Sequence, residues 1–377
     1  MRQDKNIEAF FALVKSGLWS NDNVDLNLEF VGVDWSRVYQ FAEEQSVVGL
    51  VAAGIDNLKV DHNIKIPQEW ALQFVGSALQ LEQQNKAMNA FIAGLIAKMR
   101  ATGIYTLLVK GQGVAQSYEK PLWRACGDVD LLLSDDNYQK AKDFLLPKAT
   151  SVEAEDTKKC HFGMTIDGWV VELHGSLRCG FSSRVDTALD EIYHDTFYNG
   201  NVTSWNNNGV QVFMLDREND VLYVFAHFLN HFYKGGLGLR QICDWCRLLW
   251  TYRESLDLKK LGSLLKEAGL MSEWKAFGAL ANDYLGLDVD VIPFYSNGSR
   301  WKRKASRIEK FIMKVGNFGH NRDMSYFRTK SYLVRKTMSL GRRLGDLLNH
   351  FCLFPLDTLR FTPRILINGL RSAANGE

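Results

Sequence analysis

The chain has 377 residues, 46% hydrophobic and 23% charged, with 6 Pro; its length predicts two or three folded units, and its composition excludes collagen-like, low-complexity and largely disordered classes. The formal net charge of +2 names no partner, but it is unevenly divided: residues 300–377 hold 17 Lys and Arg against 5 Asp and Glu. That quarter therefore carries a net of +12 and residues 1–299 a net of −10, and an acidic body with a basic end needs a physical account.

Asp4 and Glu8 interrupt any signal-peptide n-region and no long apolar run follows, so no signal peptide is expected. Apolar residues at three- and four-residue spacings predict helices over 6–18 and 36–57. Pro67 opens a long helical segment that stops at Gly103. The pattern then changes. Residues 104–109 (IYTLLV) form a short β-prone run ending in Lys110-Gly111-Gln112-Gly113, with a short helix expected through Tyr118. Residues 126–133 (CGDVDLLL) read as a strand, 135–145 as a helix, and 161–166 with 169–174 as a hairpin around Asp167-Gly168. Strands at 202–205 and 210–215 flank Asn206-Asn207-Asn208-Gly209, and Asp216 is placed to cap a helix over 217–233. Helices at 239–253, 258–268 and 272–285 precede the basic stretch SRWKRKASRIEKFIMKV.

This order predicts an α+β fold: a helical region over 1–102, a mixed core over 103–215, a helical domain over 216–298 and a basic, partly amphipathic region over 299–377. The longest uncharged helical run, 221–233, is too short to span a bilayer. The six cysteines are scattered in a large chain, which predicts free, buried thiols in a reducing cytoplasm.

The chemistry concentrates in Gly127-Asp128-Val129-Asp130. On a strand, Asp128 and Asp130 point to one face, and paired carboxylates repel unless a cation offsets them; hard oxygen ligands suit Mg²⁺. Glu172 stands at the centre of a second strand, and if the two strands pair, three carboxylates converge as two-metal phosphoryl transfer requires. Lys110, Gly111 and Gly113 form a strand-to-helix turn that lets backbone approach a phosphate, with Lys110 adding a charge and Arg124 a possible second one. The plain alternative for each is an ordinary turn and a solvated cation.

Together these residues resemble the DNA polymerase β-like nucleotidyltransferase superfamily. LLVKGQGVAQSYEKPLWRACGDVDLLL is more closely similar to an uncharacterised bacterial nucleotidyltransferase family, with Lys110, Gly111, Tyr118, Arg124, Gly127, Asp128 and Asp130 matching. The segments VVELHGSL and AHFLNHFYKGGLGLRQICDWCRLL extend the likeness across 104–250. Lys-Gly replaces the superfamily's usual Gly-Ser turn. The resemblance implies that Asp128 and Asp130 hold two Mg²⁺ ions, with Mn²⁺ an alternative, and that Glu172 completes the site of the ion activating an acceptor hydroxyl. It further implies transfer of NMP, expected to be AMP from ATP, to a protein, small-molecule or glycan-precursor hydroxyl. His227, Arg240 and Asp244 then belong to a wall of the nucleotide cleft.

On residues alone, His227 and His231 share a helix face without a third ligand at a telling spacing, so zinc is disfavoured, and Arg240 with Asp244 reads as a helix ion pair. His174 and His231 are expected to back the carboxylates and the cleft. Cys243 and Cys246 lack a redox context and face a core. In the basic quarter, cations interleave with Trp301, Phe311, Phe318, Tyr326, Phe327 and Tyr332. A solvated face packed on the acidic body, an anionic membrane surface and nucleic acid compete there. The apolar run 351–370 ranks membrane above nucleic acid, consistent with a cytoplasmic protein peripheral to the inner face of a membrane. A nucleotide sensor or membrane-associated scaffold on the same fold is the non-catalytic alternative. An Asp-x-Asp glycosyltransferase is disfavoured, because the first hundred residues read as helical where such folds open with a nucleotide-binding half.

Overall fold

The structure, a computed structural model, describes residues 4–19, 30–62, 66–319 and 332–374; Tyr326 and Phe327 of the basic quarter lie outside them. Four helices lead into the sheet: α1 (Lys5–Leu18), α2 (Trp35–Glu44), α3 (Val48–His62) and α4 (Gln68–Ala101). Asp4 caps α1 by accepting from the Asn6 N–H at 2.9 Å, and Asp34 caps α2 by accepting from Ser36 and Arg37. The spacing predicts one helix over 36–57, but the chain breaks it. Ser46 takes a φ of 56°. The buried Gln45 amide beside it donates to the Ile312 carbonyl at 3.2 Å and accepts from the Leu239 N–H at 2.9 Å. Pairing these buried groups across the fold coincides with the break, and apolar spacing is silent about it. Helices α1 and α3 touch backbone to backbone, since an added Cβ at Gly17 would strike the Leu50 carbonyl and one at Gly54 that of Leu13.

Seven strands form one mixed sheet: β1 (Leu107–Val109), β2 (Asp128–Leu132), β3 (Ser151–Val152), β4 (His161–Ile166), β5 (Trp169–His174), β6 (Val202–Asn207) and β7 (Val210–Leu215), in the order β3-β4-β5-β2-β1-β7-β6. β2 runs parallel to β5 and β1 parallel to β7, and the other neighbours are antiparallel. Two-residue turns at Asp167-Gly168 and Asn208-Gly209, all four residues at positive φ, close the two expected hairpins. Between the strands lie α5 (Gly111–Ala115), α6 (Asp135–Leu145) and α7 (Ser183–Phe197). α7 has no counterpart among the expected elements, although Val185, Ala188, Leu189 and Ile192 give it an apolar face and Ser182 caps it. Helices α8 (Arg217–Lys234), α9 (Leu239–Tyr252), α10 (Leu258–Ala268) and α11 (Met271–Leu285) follow. Asp216 does stand at the N-cap of α8, but its side chain makes no capping hydrogen bond.

The pleat sorts the sheet residues. Val129, Leu131, Leu133, Val171 and Leu173 pack with Ile92 and Ile96 of α4 and Leu145 of α6. Leu132 belongs instead to the larger core with α8 and α9, so Asp128, Asp130 and Glu172 turn toward those helices. The result is a mixed α+β protein with helical regions on both sides of its sheet. The six cysteines are unpaired; Cys126, Cys243 and Cys246 are buried as expected, but Cys160 and Cys179 are only partly buried and Cys352 is exposed on the last helix pair.

The basic end divides in two. α12 (Ser299–Val315) buries Trp301, Ile308, Phe311 and Ile312 and leaves Lys302, Arg303, Arg307, Lys310 and Lys314 exposed. α13 (Tyr332–Leu353) and α14 (Pro355–Ala374) form a hairpin. Phe361 stacks on Phe181 with ring centres 3.7 Å apart, and the buried His350 packs on Phe232 at 4.5 Å. Among the described residues no helix is long and apolar enough to cross a membrane.

Beneath the hairpin, Tyr233 donates to the fully buried Glu273 at 2.9 Å. Burial first, then the neighbouring Asp357, holds the Glu273 carboxyl well above its usual range, to about 8. A carboxyl raised on folding contributes stability that is complete below its ordinary value and is lost as pH rises through the folded value. We expect the thermal midpoint to fall between about pH 5 and about pH 9 by a margin that Glu273→Gln reduces. An equal fall in both proteins, measured by scanning calorimetry, would locate the pH dependence elsewhere.

Candidate active site

β2 and β5 pair in parallel with Asp130 beside Glu172 and Asp128 beside Val170. Alternation along β2 sends Asp128 and Asp130 to the same face, and register adds Glu172 to it. Oxygens of the three carboxylates lie within 4.8 Å of one another. Asp130 is 1% exposed. Its Oδ1 accepts from Lys110 Nζ at 2.8 Å and lies 2.8 Å from His174 Nε2. Glu172 Oε2 lies 3.1 Å from His161 Nε2 and 3.5 Å from His174 Nε2. Asp128 has no side-chain hydrogen bond or ion pair to a described residue.

The electrostatics follow from this crowding. The charge of Asp130, then burial, pushes the Asp128 carboxyl up. Burial also opposes the charge on Glu172, but hydrogen bonds from His161 and His174 overcome it and hold Glu172 well below the carboxylate range. Burial alone would lower Lys110, yet Asp130 and its neighbours raise it above an ordinary lysine. His174 is likewise raised, burial being outweighed by Asp130 and Glu172. The cluster thus holds an ionised glutamate, a fixed ammonium and one carboxylate short of counter-charge.

Lys110 reaches its position at a backbone cost. Its φ of 58° and ψ of −150° belong to a region populated almost only by glycine, a conformation costing about 1–3 kcal/mol that persists where surroundings over-determine it. Here the ion pair to Asp130 is one such constraint. Gly111 follows at φ 47°. Gly113 does not line the site; it is buried inside α5, where an added Cβ would sit 3.1 Å from Met214 Sδ.

A cleft of about 760 Å³ opens over the carboxylates, lined by Lys110, Gly111, Arg124, Asp128, Asp130, Glu172, His227, His231, Arg240, Gln241 and Asp244, with Val224 and Phe228. The residues singled out in the sequence therefore converge, apart from Gly113 and from His174, which lies behind Asp130. Their pairings differ from expectation. Asp244 does not pair with Arg240 along the helix. It takes a two-pronged bond from the buried Arg124, with Nε at 2.8 Å and Nη2 at 2.6 Å, and accepts from Tyr118 at 2.8 Å. A planar fork meeting a carboxylate from another segment wins over a helix-surface pair. Arg240 is thereby released. Its Nη1 donates to the Ala125 carbonyl at 2.9 Å, while its buried Nε has no hydrogen-bond partner.

His227 and His231 touch through their Nε2 atoms at 3.0 Å. Burial, then Lys110, depresses both, His231 to about 4, so both rings are neutral at neutral pH. Two overlapping groups among the described residues have the donors for a metal: Asp128, Asp130 and Glu172, and His161, Glu172 and His174. The all-oxygen set fits a hard divalent cation such as Mg²⁺, with Asp128 uncommitted and Asp130 Oδ2 and Glu172 Oε1 not used by the contacts above. The two histidines already hold the carboxylates in place. His161 is the residue that sequence reasoning missed. The Asp167-Gly168 turn carried the signal, since counting back from it puts His161 opposite His174.

Residues 32–286 match a protein family described as an uncharacterised nucleotidyltransferase. No curated protein matches the chain. Among solved structures, an antigenic nucleotidyltransferase-like protein from Paracoccidioides brasiliensis is similar at 15% identity, over 49% of this chain and 90% of its own, with a TM-score of 0.29.

Two outcomes follow from the geometry. Arg124→Ala strands a buried Asp244 charge and is expected to destabilise the fold by about 3–5 kcal/mol in urea titration; a loss confined to ligand binding would instead make Arg124 a phosphate contact. Asp128→Asn removes repulsion on Asp130 and is expected to raise the metal-free thermal midpoint while abolishing the upward shift that Mg²⁺ gives the unaltered protein.

Proposed function

The chain belongs to the family of uncharacterised nucleotidyltransferases, and from that premise we propose that it is a Mg²⁺-dependent enzyme moving NMP, with ATP the expected donor, to an acceptor hydroxyl. The observation that carries this reading is the meeting of three carboxylates from two parallel strands with Lys110 and the underused Arg240 in one cleft. The roles proposed for Asp128, Asp130 and Glu172 are those the polymerase β-like resemblance implies, with two Mg²⁺ ions, or Mn²⁺, held between them. Bound there, the metal would neutralise charge on the attacking and leaving oxygens.

The side chains do the rest. Lys110 and Arg240 attract and orient the triphosphate, and Gly111 lets its backbone approach. Arg124 fixes Asp244 and the cleft wall. The depressed Glu172 makes a poor base, so its part is to orient the acceptor hydroxyl and hold metal. The hydroxyl oxygen bonds to the α-phosphorus, the bond to the bridging oxygen breaks, pyrophosphate leaves and the hydroxyl proton passes to solvent. Neutral His227 and His231 add polarity to the cleft without adding charge.

Transfer of label from ATP labelled at the α-phosphate, with Mg²⁺ and a lysate as the acceptor source, is expected to fall by about 10²–10³-fold in Asp128→Ala and in Asp130→Ala. Chelation of the metal is expected to abolish it. Retained Mg-ATP binding with transfer to no acceptor would favour the sensor reading and end this one.

A further inference from the structure

We propose that the corner between α13 and α14, with the basic pocket beside it, is a docking surface for an anionic phospholipid bilayer. Leu348, Leu356 and Leu359 are 67%, 68% and 60% exposed, and Phe351 is exposed between them. Their spacings place 348 and 351 on one face of α13 and 356 and 359 on one face of α14. The reverse faces are occupied: His350, Leu353, Phe354 and Phe361 are buried against the body. The apolar side chains therefore protrude from an anchored hairpin.

Next to them lies a pocket of about 570 Å³ lined by Met271, Ser272, Lys275, Arg300, Trp301 and Lys304. None of its three cations makes an ion pair with a described carboxylate. Arg300 lies over the Trp301 ring at 4.2 Å, and Lys304 Nζ is 4.3 Å from the centre of the Phe354 ring at the corner itself. Charge and apolar surface thus meet at one place, as headgroup phosphate and acyl chain do in a bilayer. A nucleic acid would use the cations and leave the leucines in water. A second copy of the chain would need a groove shaped to the protruding leucines, whereas a bilayer accepts them without a matching shape. The surface lies outside the residues lining the nucleotide cleft, so its test is independent of the enzyme reading.

The full-length protein is floated with vesicles of phosphatidylcholine alone and of phosphatidylcholine with about 30 mol% phosphatidylglycerol. Binding to the anionic vesicles, weakened by salt, and about tenfold or more weaker binding to neutral ones are expected. Leu356→Glu with Leu359→Glu, and separately Lys275→Glu with Arg300→Glu, are each expected to reduce anionic binding about tenfold or more. These partly or fully exposed substitutions should leave the thermal midpoint unchanged, and a variant that melts early is replaced by the corresponding serine substitutions. Absence of flotation, equal binding to both vesicle types, or wild-type binding by the variants would overturn the proposal. So would a concentration-dependent dimer that the leucine substitutions abolish, which would make a second copy the occupant.

Discussion

Three carboxylates cannot share a partly dry patch without cations, and much of the site answers that constraint. Lys110 and His174 both reach Asp130 Oδ1 at 2.8 Å, and His161 lies 3.1 Å from Glu172. These contacts satisfy two acids and leave Asp128 raised by its neighbour. An arrangement selected for stability alone would have no use for the third acid, or for a lysine held in a glycine backbone region. Under the function proposed above, this local strain and residual repulsion are what a divalent cation and an anionic substrate would relieve on binding.

Helices on the two faces of the sheet position this patch. α4 and α6 cover the sheet face opposite the acids, so alternate residues of β2 and β5 pack into a core while the acids point to the cleft. α8 and α9 supply its other wall, and the bond between Arg124 and Asp244 ties that wall to the segment just before β2. One ion pair thereby ties the cleft wall in place, and Arg240, which lines the same cleft, keeps a buried Nε with no hydrogen-bond partner. The basic end is less uniform than its charge suggests. α12 spreads cations over a solvated face of a helix packed on α11, whereas the α13–α14 hairpin carries exposed leucines.

Much of the local structure was legible because its causes are local. Asp167-Gly168 and Asn208-Gly209 dictate hairpins by their backbone preferences, and the helix over 258–268 begins and ends where Asp257 and Gly269 require. The break at Ser46 was not legible, since partners almost 200 and more than 260 residues away hold Gln45. Nor was the partner of Asp244: the helical spacing of Arg240 was visible, but the approach of Arg124 from another segment was not. α7 is a different case, a periodic pattern present in the sequence that earned no assignment there.

By itself the sequence determined which side chains share a face: Asp128 with Asp130 by strand alternation, Glu172 with His174 by the same rule, and His227 with His231 by helical pitch. Through the likeness of residues 104–250 it also pointed to a nucleotidyltransferase family, and a match to such a family spans residues 32–286. Only the tertiary structure decided that β2 lies parallel to β5, which joins the two acidic faces into one site, and that Arg124 rather than Arg240 neutralises Asp244. The physical reason is that side-chain direction follows from backbone geometry over a few residues. Register between distant strands and the choice among competing ion pairs depend on the packing of the whole chain.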